Sequence, residues 1–164
     1  MSVIDDLVKA NEHFASALGE IESPPLPPTR RVAILTCMDA RIVPARILNL
    51  QEGDAHVIRN AGGLAREALR SLVISQRLLG TNAIMVIHHT DCGMLTFQNE
   101  DVHQKVREDL GADASEMDFM PFGDLEGSVR NDLEFLSGSP LVADDTEIRG
   151  FVYDVSTRRL SEVT

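Results

Sequence analysis

Tryptophan is absent from the 164 residues, and tyrosine occurs once. With aromatics at 4%, the core has to be assembled from Leu, Ile, Val, Ala and Met. Basic residues are also scarce: 15 Lys and Arg stand against 26 Asp and Glu, a net charge of −11. Such a surface repels nucleic acid and anionic lipid, so neither is expected as a partner. No apolar stretch approaches the roughly 18 residues of a membrane span. The opening MSVIDDLVKANEHF carries acids where a secretory leader needs bases, and a cytoplasmic location is expected. Cysteine is limited to Cys37 and Cys92. In a reducing compartment two such thiols serve as ligands, catalysts or buried apolar groups rather than as a disulfide.

What remains is enough for one domain over residues 1–164, since a chain of this size buries about two-thirds of its unfolded surface. Residues 3–18 read as an amphipathic helix. Val3, Leu7, Ala10, Phe14 and Leu18 recur every three or four positions and form one apolar stripe. The proline-rich segment 23–29 (SPPLPPT) then breaks regular structure, so residues 1–22 form an arm that docks on its own domain or on a partner subunit. Beyond it, strands and helices alternate. Strands are expected at 32–36, 55–59, 83–88 and 148–154, with a last edge strand after the turn at Thr157, Arg158 and Arg159. Helices are expected at 43–50, at 65–79 with Ala65, Leu69, Leu72 and Leu79 inward and Gly80 as stop, and from an Asp124 cap through Leu136. The apolar runs do not alternate, which suits a mostly parallel sheet covered on both faces. The acidic stretch 98–121 reads as partly helical.

Three polar clusters follow three successive strands. These are Cys37 to Arg41 (CMDAR), Asn60 to Gly63 (NAGG) and His89 to Gly93 (HTDCG). Open α/β sheets bind ligands at the carboxyl ends of their strands, at the switch point. There Cys37 would face His89 and Cys92. Two thiolates and one imidazole suit zinc, and three protein ligands leave a fourth position open, as in catalytic sites. His88 should point to the opposite face and serve structure, and His13, His56 and His103 are expected to be surface or satisfied histidines. Asp39 beside the permanent cation of Arg41 stays ionised and can only accept hydrogen bonds. Both are expected to be catalytic.

CMDAR (37–41), RNAG (59–62) and HTDC (89–92), with Glu67 and Ser71-Leu72 between them, resemble the β-carbonic anhydrases. The small bacterial and archaeal branch, mycobacterial members included, is the most similar. The resemblance implies a sheet of order 2-1-3-4 with an antiparallel edge strand, flanked by helices. It implies a homodimer or higher homo-oligomer with embracing N-terminal helices. It also implies one Zn²⁺ per chain and reversible hydration of CO2 to bicarbonate by zinc-bound hydroxide. Gly62, Gly63 and Gly93 would let backbone approach the substrate closely. In some members the aspartate that Asp39 matches binds the metal as a fourth ligand in an inactive state. Hydrolases of carbonyl sulfide or carbon disulfide use the same three ligands. A non-catalytic zinc protein and a redox protein with a Cys37–Cys92 pair are the readings from other classes.

Overall fold

A computed structural model describes residues 2–19, 23 and 25–164. Residues 1, 20–22 and 24, which include the end of the expected arm and part of its linker, lie outside the described residues. Five strands form one sheet: β1 (Val32–Cys37), β2 (His56–Asn60), β3 (Ala83–His89), β4 (Glu147–Tyr153) and β5 (Leu160–Val163). Their order is β2-β1-β3-β4-β5. The first four are parallel, and β5 pairs antiparallel with β4. The chain leaves β1 for β2 on one side and returns to β3 on the other, so the switch point lies between β1 and β3.

Period-two alternation decides which side chain faces which layer. On one face Ala33, Leu35, Ile84 and Val86 pack against α3 (Ala65–Leu79) and α5 (Leu125–Ser137), with Ala65, Ala68, Leu72 and Leu136. On the other, Ile34 and Ile87 join Ile42, Leu64, Met94 and Tyr153. Burial on both faces is why β1 reads as an unbroken apolar run. Gly80 ends α3 in the left-handed conformation, as the sequence implies.

Two details depart from expectation. The helix expected at 43–50 shrinks to α2 (Pro44–Ile47), because Asn49 turns left-handed at φ 50° and the chain cannot wind further. Asp124 occupies the N-cap of α5 but makes no side-chain cap bond; the cap is backbone, Ser128 N–H to Asp124 O at 2.9 Å. The 98–121 stretch is helical in part, as expected, over α4 (Asn99–Leu110), which Gly111 terminates at φ 66°.

The arm helix α1 (Val3–Leu18) forms as expected, with a capping box between Ser2 and Asp5. None of its residues is buried; Val3, Leu7, Phe14 and Leu18 are 74%, 66%, 60% and 50% exposed. The end of the linker is tied down. Thr29 and Arg30 donate backbone N–H groups to Gly53 and Asp54, and their side chains bond the Asp54 carboxylate.

Candidate metal centre

β1 ends on Cys37 and β3 ends on His89, two neighbouring strands at the switch point. Cys92 follows three residues after His89, on a turn in which Asp91 takes φ 56°. The two sulfurs and the imidazole nitrogen therefore lie within 4.8 Å of one another, and all three residues are buried. Some 50 residues of chain separate Cys37 from its partners, and the parallel register removes that distance.

Hydrogen bonding fixes how His89 faces the thiols. Its Nδ1 lies 2.9 Å from the Thr90 carbonyl, which can only accept, so Nδ1 carries the proton. In the neutral ring Nε2 then presents its lone pair. That nitrogen is buried and has no hydrogen-bond partner. A buried polar atom without a partner is costly, and here it faces two sulfurs. The arrangement fits a soft divalent metal such as zinc, down to the backbone carbonyl that orients the histidine from behind.

The same surroundings set the charges. The hydrogen bond from Cys92 draws the Cys37 thiol well below its ordinary value, burial opposing and His89 assisting. Cys92 is pushed up, first by that same bond and then by burial. The pair thus loses one proton easily and the second with difficulty. Burial works against a charged His89, but the Cys37 sulfur close beside it outweighs this and raises it. A divalent cation between the sulfurs would stabilise the second thiolate.

Asp39 stands at the edge of this cluster, its Oδ2 3.9 Å from His89 Nε2. Arg41 grips it with a fork: Nε to Oδ1 at 2.9 Å and Nη2 to Oδ2 at 2.7 Å, with the Arg41 backbone N–H on Oδ1 as well. The guanidinium beside it, aided by the backbone bond, holds the Asp39 carboxyl well below the usual carboxylate range. Arg41 also reaches Asp91, Nη1 to Oδ2 at 2.5 Å and Nη2 to the backbone oxygen at 2.9 Å. A cavity of about 460 Å³ opens beside Arg41, between Val43, Arg46, Ile47, Tyr153, Val155 and Arg158.

Several supporting residues escaped the sequence reading. Arg59 donates to the carbonyls of Cys37 (3.0 Å) and Asp39 (2.7 Å), holding the CMDAR loop. Asn60 closes the next loop on itself through both backbone groups of Leu64. Thr90 ties the ligand loop to the β4 end through Tyr153 and Val155. The RNAG motif signals that Arg59 and Asn60 matter, but which backbone groups they meet depends on the fold.

The glycines differ among themselves. At Gly63 a methyl group would sit 2.8 Å from the backbone of Thr36 and Cys37, so strand β1 occupies the space that glycine leaves. At Gly62 it would meet Phe122, Met94 and Leu64 at 3.1–3.3 Å, an apolar wall. Beside Gly93 the space is open. His88 does face away from the cluster, as expected. It is fully buried, with Nδ1 2.7 Å from Ser128 Oγ and Nε2 3.0 Å from Asp132 Oδ2. The Asp132 carboxylate accepts from Nε2, and the Ser128 hydroxyl lies 2.7 Å from both His88 Nδ1 and the Leu125 carbonyl, so the three residues tie α5 to β3. His56 bonds Ser75, and His103 bonds the Met117 carbonyl. His13 is exposed on α1.

The family profile described as carbonic anhydrase matches residues 32–160. Beta-carbonic anhydrase 1 of Mycobacterium tuberculosis is 44% identical, over 100% of this chain and 99% of its own length. A carbon disulfide hydrolase of Acidianus sp. is 36% identical, over 96% and 87%. The crystal structure of a carbonic anhydrase from Streptococcus mutans superposes with a TM-score of 0.94 at 48% identity, covering 100% of this chain and 99% of that one.

Proposed function

The chain belongs to the β-carbonic anhydrases, and from that membership and the site geometry we infer that it catalyses the reversible hydration of CO2 to bicarbonate and a proton at a metal held by Cys37, His89 and Cys92. The observation that carries the reading is the buried, partnerless Nε2 of His89 aimed at two thiols. Zinc is the metal this donor set suits, one ion per chain; bound there it supplies Lewis acidity, and with it a nucleophile from water near neutral pH.

The protein's part is charge, orientation and exclusion. Cys37 and Cys92 as thiolates balance a divalent cation, and the Thr90 carbonyl fixes the ring of His89. Asp39, kept ionised by Arg41, offers only acceptor oxygens. It would accept a hydrogen bond from the attacking water-derived oxygen and so leave that oxygen's lone pair directed at the carbon of CO2. Gly62, with Phe122, Met94 and Leu64 around it, gives an apolar wall for a substrate without charge. Gly93 leaves open room beside Cys92, and Gly63 keeps the Asn60 to Gly63 loop pressed against β1. Arg41 holds Asp39 off the metal, and loss of that grip would let the carboxylate take the open position as a fourth ligand.

The exposed stripe of α1 supports assembly of a homodimer or larger homo-oligomer through the arm, which extends from a single domain over 1–164. No helix among the described residues is long and apolar enough to cross a membrane. With two free thiols in the site, a cytoplasmic setting is proposed. The carbon disulfide hydrolase of Acidianus sp. is less similar than the mycobacterial beta-carbonic anhydrase 1, at 36% against 44% identity. Stopped-flow assays with CO2, carbonyl sulfide and carbon disulfide test the reading. CO2 hydration that His89→Ala abolishes supports it, and turnover of the sulfur gases alone overturns it.

A further inference from the structure

Arg41 is held from two sides. Its Nε and Nη2 grip Asp39, while its Nη1 meets the Asp91 carboxylate and its Nη2 the Asp91 carbonyl. Asp91 lies between His89 and Cys92, on the loop that delivers both of them. The contacts therefore close a ring: Cys37 and Asp39 on one loop, Arg41 as the bridge, Asp91 and Cys92 on the other. A guanidinium bonded to Asp39 alone can swing together with it. Bonded to Asp91 as well, it ties Asp39 to the metal-binding loop at a fixed offset, 3.9 Å from His89 Nε2. The left-handed turn at Asp91, φ 56°, directs both its side chain and its carbonyl at one guanidinium.

We propose that Asp91 is a positioning residue of the active site, the far anchor that holds Arg41 and, through it, keeps Asp39 facing the reacting oxygen and off the metal. This rests on the reading of Asp39 given above. The Asp91 side chain is 76% exposed, and an exposed ion pair adds little to stability. Removing it should therefore leave folding nearly intact while shifting Asp39, which separates positioning from a structural role.

The left-handed backbone dictates the variants. Glycine accepts φ 56° without strain and removes the carboxylate, whereas asparagine keeps the turn and an acceptor oxygen but no charge. Asp91→Gly is expected to melt close to the wild type and to lose about tenfold in kcat/KM, with Asp91→Asn between the two. In the cobalt-substituted enzyme the visible ligand-field bands of Asp91→Gly should change, because Asp39 reaches the metal. In an Asp39→Asn background, Asp91→Gly should change neither rate nor spectrum further. Wild-type activity and spectrum in Asp91→Gly overturn the inference, and so does a loss of full size in the Asp39→Asn background. Full activity of Asp39→Asn alone would instead overturn the role of Asp39 itself.

Discussion

Gly63 has φ 76°, and a methyl group there would lie 2.8 Å from the backbone nitrogen of Cys37. Neither neighbour can yield, since both contacts are backbone atoms of the strand that carries a ligand. Gly63→Ala should cost about 2 kcal/mol or more in stability, from strain and overlap together. It should also weaken metal binding by moving Cys37. Denaturant unfolding and metal titration check both, and wild-type values in each would refute the packing role. At this scale much of the centre was legible in the sequence. Cys37, Asp39, Arg41, His89 and Cys92 carry distinctive chemistry at fixed spacing. Asp91 and Thr90 stand in the same motif, yet their use follows from a left-handed turn and from contacts with the β4 end, neither of which spacing encodes. At Gly63 a glycine announces close approach without saying what approaches, and the fold adds that β1 fills the space a side chain would need.

Among the elements, the strands were the most legible, because continuous apolar runs have one good explanation in a parallel sheet. Helix ends were less so, since Asn49 and Asp124 act through backbone conformation rather than residue type. The tether of α5 to β3 through His88, Ser128 and Asp132 joins positions 40 and 44 residues apart, beyond any local pattern. Another tether joins the linker to the turn before β2. Asp54 accepts from the Gln51 N–H (2.9 Å), the Thr29 hydroxyl (3.0 Å) and Arg30 Nε (3.1 Å). The Gln51 bond first, then Thr29, hold its carboxyl below the ordinary value, with Arg30 adding attraction. A carboxyl lowered by folding stabilises above its unfolded pKa of about 4 and stops doing so as pH falls through the folded value. Asp54→Asn should therefore lower the melting temperature at pH 7, by a deficit that shrinks progressively as pH falls below the unfolded pKa of about 4. A deficit that persists unchanged in acid would show that the carboxylate's charge is not what holds the linker.

For the whole molecule, the arm raises the question of assembly. A helix with Val3, Leu7, Phe14 and Leu18 all exposed leaves apolar surface that a second copy is expected to cover. Deleting residues 1–22 should shift sedimentation toward the monomer and increase binding of an apolar dye, and an unchanged oligomer of equal stability would refute the arm as interface. The charge of −11 is consistent with an uncharged substrate whose product leaves as an anion. The central claim concerns one small cluster within this molecule, and one measurement reaches it. Protein purified without chelator should contain about one zinc per chain, because three ligands of this kind suit a single ion. Dialysis against a strong chelator should remove the zinc and CO2 hydration together, and stoichiometric zinc should restore both. A metal-free preparation that hydrates CO2 at the full rate would contradict the account.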